Sequence, residues 1–371
     1  MRYQTGLSLW FTMGIVVVLG GMIQNIGQAQ TTTRVSVDPQ GEDSNGPSGE
    51  SALSADGRYV VFGSNASNLV AGGPPGVRDL DGSGTADLLW RNIHSGEVAV
   101  WLMEGAKLKG SGTLGGVSQD WQIAGTGDVD GNGTVDVIWR NITSGEVAIW
   151  MMNGSHISSV GFPGSASRDW IIKGVGDFDG NEKVDLFWQN ATSGQIAIWV
   201  MDGSTIGSSG LLNAPPPEVH LAGIGDVNGD GKADALWFDT RTGAVTIWQM
   251  DGLTISFVGF SGTTSKNWEI QSVGDIDGNG TADVVWRHRT NGIVAAWLLR
   301  GSAVISSRFF DGVPAEWGIA QSGDVDGNGT ADVIWRNSIS GAVAVWLMSG
   351  LSISSVVFPG SLSTDWVLAG R

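Results

Sequence analysis

The chain has 371 residues, with 37 acidic and 20 basic side chains for a net charge of −17, 58 glycines, 18 tryptophans and no cysteine. This balance excludes a basic surface for nucleic acid and a disulfide scaffold. The Gly, Ser, Thr and Asn content, with β-branched apolar residues and no long amphipathic helical stretch, predicts short strands joined by tight turns.

In chain order, residues 1–29 come first. Arg2 precedes an apolar run from Leu7 to Ile23, and Gly27-Gln-Ala29 places small residues at positions −3 and −1 of a cleavage site. The segment reads as a secretory signal peptide, with an uncleaved membrane anchor as the alternative, since about 17 apolar residues is near the lower limit for a span. The product is expected to be secreted, extracellular or at the cell surface, with the periplasm also open, and to have no membrane contact after cleavage.

Residues 30–77 hold two strand-like stretches, Thr33-Arg-Val-Ser-Val37 and Ser54-Ala-Asp-Gly-Arg-Tyr-Val-Val-Phe62, followed by a Gly/Pro linker, Ala71-Gly-Gly-Pro-Pro-Gly76. The second stretch resembles a fragment of the TolB-like propeller repeat, Ser-x-Asp-Gly-x-Tyr-x-x-Phe.

From 78 to 371 one acidic loop recurs six times at a period of 49 residues, opening at Asp79, Asp128, Asp177, Asp226, Asp275 and Asp324. Oxygen-bearing side chains stand at loop positions 1, 3, 5 and 9, and a backbone carbonyl is available at position 7. The candidate ligands are Asp79, Asp81, Ser83, Thr85 and Asp87; Asp128, Asp130, Asn132, Thr134 and Asp136; Asp177, Asp179, Asn181, Lys183 and Asp185; Asp226, Asn228, Asp230, Lys232 and Asp234; Asp275, Asp277, Asn279, Thr281 and Asp283; Asp324, Asp326, Asn328, Thr330 and Asp332. Such an oxygen-only set suits a hard cation, and up to six Ca²⁺ are expected. An EF-hand needs a bidentate Glu at position 12. Here Trp90, Trp139, Trp188, Trp237, Trp286 and Trp335 occupy it, so the aspartate at position 9 must close the site. Eighteen of the 37 acids are loop aspartates, leaving 19 against 20 basic residues, so the acidity is that of the sites.

The loops differ. The first has Ser83 at position 5 and Arg78 before Asp79, and the third has Glu182 at a position that needs φ > 0, so these two are expected to be the weakest. The fourth exchanges Asn228 and Asp230 and is expected to bind normally.

Around each loop the repeat reads as four strands. In the second copy they are Trp121-Gln-Ile-Ala-Gly, Val137-Ile-Trp139-Arg-Asn, Val147-Ala-Ile-Trp150-Met-Met and His156 to Phe162, with Ser144-Gly145 and Asn153-Gly154 turns. This predicts an all-β fold, a β-propeller of four-stranded antiparallel blades. Seventeen tryptophans fall at three phases, represented by Trp121, Trp139 and Trp150; Val219 fills the one vacancy. Packing between blades is the simpler reading, and a ring of exposed sugar-stacking platforms is the other. Residues 78–371 number six periods, and Trp366-Val-Leu-Ala-Gly-Arg371 stops where Arg78 resumes. Six blades closed by strand exchange between the termini is the favoured count; a seventh blade from 30–77 is the alternative.

Six copies of Asp-x-Asp-Gly-Asn-Gly-x-x-Asp leading into an apolar strand resemble the FG-GAP or VCBS repeat family, relatives of the integrin α-subunit propeller. The resemblance covers 78–371. It implies Ca²⁺ in loops between the first and second strands of the blades, in secreted or surface proteins that bind or adhere. Members also occur as modules attached to enzymes.

Catalytic chemistry is hard to find. His94, His156, His220 and His288 share no phase, and Glu97 and Glu146 have no acidic counterpart in the other four copies. No catalytic residue is expected. The Arg-Asn pairs Arg91-Asn92, Arg140-Asn141 and Arg336-Asn337, with Arg287-His288 as a variant, either anchor the following turn or offer donors to a ligand. The expected function is a secreted, monomeric, calcium-stabilised binding or adhesion module for a glycan or protein. The alternatives are the propeller of a secreted lyase or hydrolase and a structural surface or matrix protein.

Overall fold

The computed structural model describes residues 79–105 and 107–368, together with the backbone of the strands Met13–Val16, Ser48–Leu53 and Val60–Ser64. The chain divides into two units, Met1–Gly73 and Pro74–Arg371, with the boundary inside the Gly/Pro linker. In the first unit the three strands form one antiparallel sheet with Val60–Ser64 in the middle. Val60–Ser64 overlaps the end of the TolB-like stretch. The rest of the expected signal peptide, and Thr33 to Val37, lie outside the described residues.

The second unit is a six-bladed propeller of four-stranded antiparallel sheets. In blade 2 the strands are Trp121–Gly127, Asp136–Asn141, Glu146–Asn153 and His156–Ser165, in that order across the sheet. Blades 3 to 6 repeat this order over 170–212, 219–263, 268–312 and 317–361. Blade 1 combines the C-terminal strand Trp366–Leu368 with Leu88–Asn92, Glu97–Glu104 and Lys107–Gly116. Its first pairing is Trp366 with Asn92, Val367 with Arg91 and Leu368 with Trp90. The C-terminal strand therefore completes blade 1, and the ring has six blades.

Burial explains the strand sequences. The second strand, Asp-Val-Ile-Trp-Arg-Asn in blade 2, is buried along nearly its whole length. Val137 and Trp139 enter the apolar cluster shared with blade 1, whereas Ile138 enters the cluster shared with blade 3. A strand sandwiched between two neighbours must be apolar on both faces, so it reads as a continuous run. Six such clusters lie between consecutive blades, including one between blades 6 and 1, which closes the ring. The first strand allows close approach through glycine. A methyl group on Gly125 would lie 2.7 Å from the Val175 side chain, and one on Gly127 2.6 Å from Val184.

The tryptophans are packing residues. The six at loop position 12 are at most 1% exposed. Each is tilted against the third-strand tryptophan of its own blade, with ring centroids 4.6–5.1 Å apart. Of the 17, seven are buried and ten half-buried, so no phase stands fully exposed. The fourth strands form the outer edge, and their apolar residues do stand in solvent, as Phe162, Phe309 and Phe358 show. Each has a register irregularity against the third strand, which spoils the flat edge that another chain would need for pairing.

The arginines near the end of the second strand are anchors. Arg140 donates from Nη2 to the carbonyls of Ala166 and Ser167 at 2.9 and 3.0 Å, and its guanidinium lies 5.0 Å from the centre of the Trp188 ring in the next blade. Arg91, Arg287 and Arg336 repeat the arrangement over Trp139, Trp335 and Trp90. Blades 3 and 4 have Gln189 and Phe238 instead, and Phe238 meets Trp286 edge-on at 5.7 Å. The Asn141 side-chain oxygen accepts from the N–H groups of Thr143 and Ser144, which shapes the turn.

Candidate metal centres

In blades 2 to 6 the acidic loop joins the first strand to the second, and in blade 1 it leads directly into the second strand, so every loop sits at the same end of its blade on β-structure. The second loop shows how the sequence folds it. Asp128 curls the chain around its carboxylate: Oδ1 accepts from Gly131 N–H and Oδ2 from Gly133 N–H, both at 2.7 Å. Asp130 Oδ1 accepts from Asn132 N–H at 3.1 Å, and Asn132 Oδ1 from Thr134 N–H at 2.7 Å. Asp136 is fully buried, with Oδ2 accepting from Val129 N–H at 3.0 Å and Oδ1 from Met152 N–H on the third strand at 2.8 Å. Thr134 Oγ1 ties the loop to the Met152 carbonyl.

The position-9 bonds recur in all six copies, through Met103, Met152, Met201, Met250, Leu299 and Met348. As a result three carboxylates converge, each with an oxygen within 4.8 Å of the others, in five loops: Asp79, Asp81 and Asp87; Asp128, Asp130 and Asp136; Asp177, Asp179 and Asp185; Asp275, Asp277 and Asp283; Asp324, Asp326 and Asp332. In the fourth loop an amide, Asn228, stands at position 3, and Asp230 at position 5 accepts from its Nδ2 at 3.1 Å. Its convergent carboxylates are accordingly fewer.

Electrostatics make these clusters costly without a cation. Burial pushes the position-9 carboxyls up from 3.8 to about 7, against the opposing pull of their backbone N–H bonds and with further upward pressure from the neighbouring aspartates. Burial also raises the position-1 carboxyls. A hard divalent ion relieves both the burial cost and the mutual repulsion, and the oxygen-only side-chain set fits Ca²⁺.

The unequal loops show physical differences. In the first, Lys109 from the fourth strand places Nζ 3.1 Å from Asp81 Oδ2. Asp81 is held below its ordinary value because the Ser83 hydroxyl and Lys109 outweigh its burial. No local motif signals Lys109, which reaches the loop only across the sheet. In the third, Glu182 has φ = 66°, the one non-glycine positive φ among the described residues. Lys183 and Lys232, at position 7 where four other loops have Thr, turn their ammonium groups to Asp202 and Asp251.

The sequence profile of the FG-GAP-like repeat matches residues 79–139, 177–237 and 226–286. No curated protein matches the chain. Solved structures that resemble it include a luciferin-regenerating enzyme (12% identity, TM-score 0.45, covering 81% of this chain and 91% of that one). Another is the β-propeller domain of Cps50 (Swd1) from Myceliophteria thermophila (12% identity, TM-score 0.46, covering 81% and 98%). The matched stretches span the first five loops, the sixth repeats their sequence at the same 49-residue phase, and the chain is a six-bladed β-propeller that carries FG-GAP-like repeats.

Proposed function

We propose that this propeller is calcium-stabilised, works outside the cell as a monomer, and serves as a binding or adhesion module for a glycan or another protein rather than as an enzyme. The observation that carries the calcium reading is the convergence of three carboxylates in five separate loops. The metal's role is structural: it neutralises carboxylates that pin the first strand to the second and third. The binding role draws support from the repeat family and from the outer surface, where large apolar side chains stand exposed on successive blades. His94, His156 and His220 stand exposed at separate phases of the repeat, in keeping with a surface role.

Sites with dissociation constants on the order of 10⁻⁴ to 10⁻³ M contribute roughly 0.4–1.4 kcal/mol each at millimolar calcium, which sums over the loops to several kcal/mol. Thermal unfolding with calcium and with excess chelator tests this: the midpoint is expected to fall sharply on chelation, and an unchanged midpoint overturns the reading. A glycan array probed with and without calcium then separates a lectin-like module from a purely structural component, since only the former gives calcium-dependent hits.

A further inference from the structure

The six loops are not isolated from one another. In every blade the N–H at loop position 8 donates to the carbonyl of the position-1 aspartate in the preceding loop: Val135 to Asp79, Val184 to Asp128, Ala233 to Asp177, Ala282 to Asp226, Ala331 to Asp275 and Ala86 to Asp324, at 2.5–2.9 Å. The last of these links blade 1 to blade 6, so the series closes on itself. A second link joins the third-to-fourth-strand turn of one blade to loop position 2 of the blade before it, from Gly154 to Leu80, Gly203 to Val129 and Gly252 to Phe178. A third is steric. The Thr281, Thr330 and Thr85 methyls stand so close to Gly229, Gly278 and Gly327 of the preceding loop that a methyl added to those glycines would lie 3.3–3.4 Å away.

These links join the residues that hold the metal. Position 1 of one loop supplies a carboxylate from its side chain and the hydrogen-bond acceptor from its own backbone. The donor, at position 8 of the next loop, lies between position 7 and the buried aspartate of position 9. A displacement of position 1 when its loop binds or loses an ion is therefore passed through one hydrogen bond to the ligand-bearing segment of the neighbour. We infer that the loops form one coupled belt, so that calcium fills them cooperatively around the ring. This inference rests on the calcium reading above and adds regulation to it: the propeller switches between filled and empty belts over a narrow calcium range instead of loading site by site.

The molecule supplies its own reporters. Met103, Met152, Met201, Met250 and Met348 each donate a backbone N–H to the position-9 aspartate of their own loop. A calcium titration of the full chain with ¹³C-methyl-labelled methionine, followed by NMR, reads five loops separately. Coupling requires the five signals to move together, with a Hill coefficient above unity. In D130N, which weakens the second loop, the midpoints of Met103 and Met201 in the adjoining loops should also rise, by about fivefold or more, and those of Met250 and Met348 by less. Independent midpoints and a Hill coefficient of unity in the native chain, or a D130N effect confined to Met152, overturn the coupling while leaving calcium binding intact. If D130N does not fold, the native titration decides alone. No calcium response in any methionine overturns both readings.

Discussion

The two ends of each blade obey different rules. At the loop end, aspartates 1 and 9 and tryptophan 12 are the same in all six copies. At the other end, the turn after the second strand carries His94, Thr143, Thr192, Arg241, Thr290 and Ile339 at one phase. Both ends are tied to a neighbouring segment. The turn's recurring tie is through backbone groups, as when Ile142 N–H donates to the Asp120 carbonyl and Ile93 N–H to that of Asp365, and side chains add to it differently from copy to copy, Thr143 reaching Asp120 and His94 reaching Asp365. Any side chain satisfies that bond. The loop uses side chains, with Asp136 bridging two strands and Trp139 filling the interface with blade 1. Backbone ties occur at both ends; repetition is strict at those positions where the same side-chain contact recurs in every blade, as at aspartate 9 and tryptophan 12.

The sharpest test of this contrast compares two substitutions four residues apart. Trp139→Ala opens a cavity in a fully buried cluster and is expected to cost about 3–5 kcal/mol, whereas Thr143→Ala loses one exposed hydrogen bond to Asp120 and is expected to cost at most about 1 kcal/mol. Denaturant unfolding of both variants checks it, and comparable losses would erase the distinction.

Calcium and pH provide the next test. The position-9 carboxyls stand near 7 in the folded chain against 3.8 when unfolded, so without metal the folded state holds more protons between those values. In excess chelator, stability is expected to decline as pH rises from about 4 to 7 and to level off above, because ionisation leaves buried charges uncompensated. Saturating calcium should remove that decline, as the ion replaces the protons. Melting midpoints across this range, with and without the metal, decide it.

A smaller effect is expected at the anchors. Arg336→Ala removes charged hydrogen bonds to the Leu362 and Ser363 carbonyls and the stacking over Trp90, at a cost of about 2 kcal/mol. The interfaces led by Gln189 and Phe238 already lack this group, so Gln189→Ala should cost distinctly less. The smallest change has the opposite sign. Glu182→Gly relieves a positive φ and is expected to stabilise the third blade by about 1 kcal/mol, read as a raised melting midpoint.

Much of the fold and site was legible because the repeat period is also the structural period. Asp128 to Asp136 announces the loop, Trp139 and Trp150 announce the interfaces, and the oddity of Glu182 is visible from its glycine counterparts. Other features were not legible because they depend on reach across a sheet or between blades. Lys109 meets Asp81 from 28 residues away, with nothing in either segment to mark the pair. The anchoring role of Arg140 rests on carbonyls 26 and 27 residues further on, so anchoring and ligand binding look alike from its neighbours in sequence alone.

The sequence by itself determined the number of loops, their oxygen-rich character and the strand order of a blade, since periodicity and turn chemistry are local properties repeated six times. Only the tertiary structure decided that Trp366–Leu368 pairs with Leu88–Asn92, that five loops draw three carboxylates together, and that each loop is hydrogen-bonded to the one before it. The strand pairing and the loop-to-loop bonds arise from closing the ring, which brings into contact groups that the chain separates by a whole blade or by most of its length.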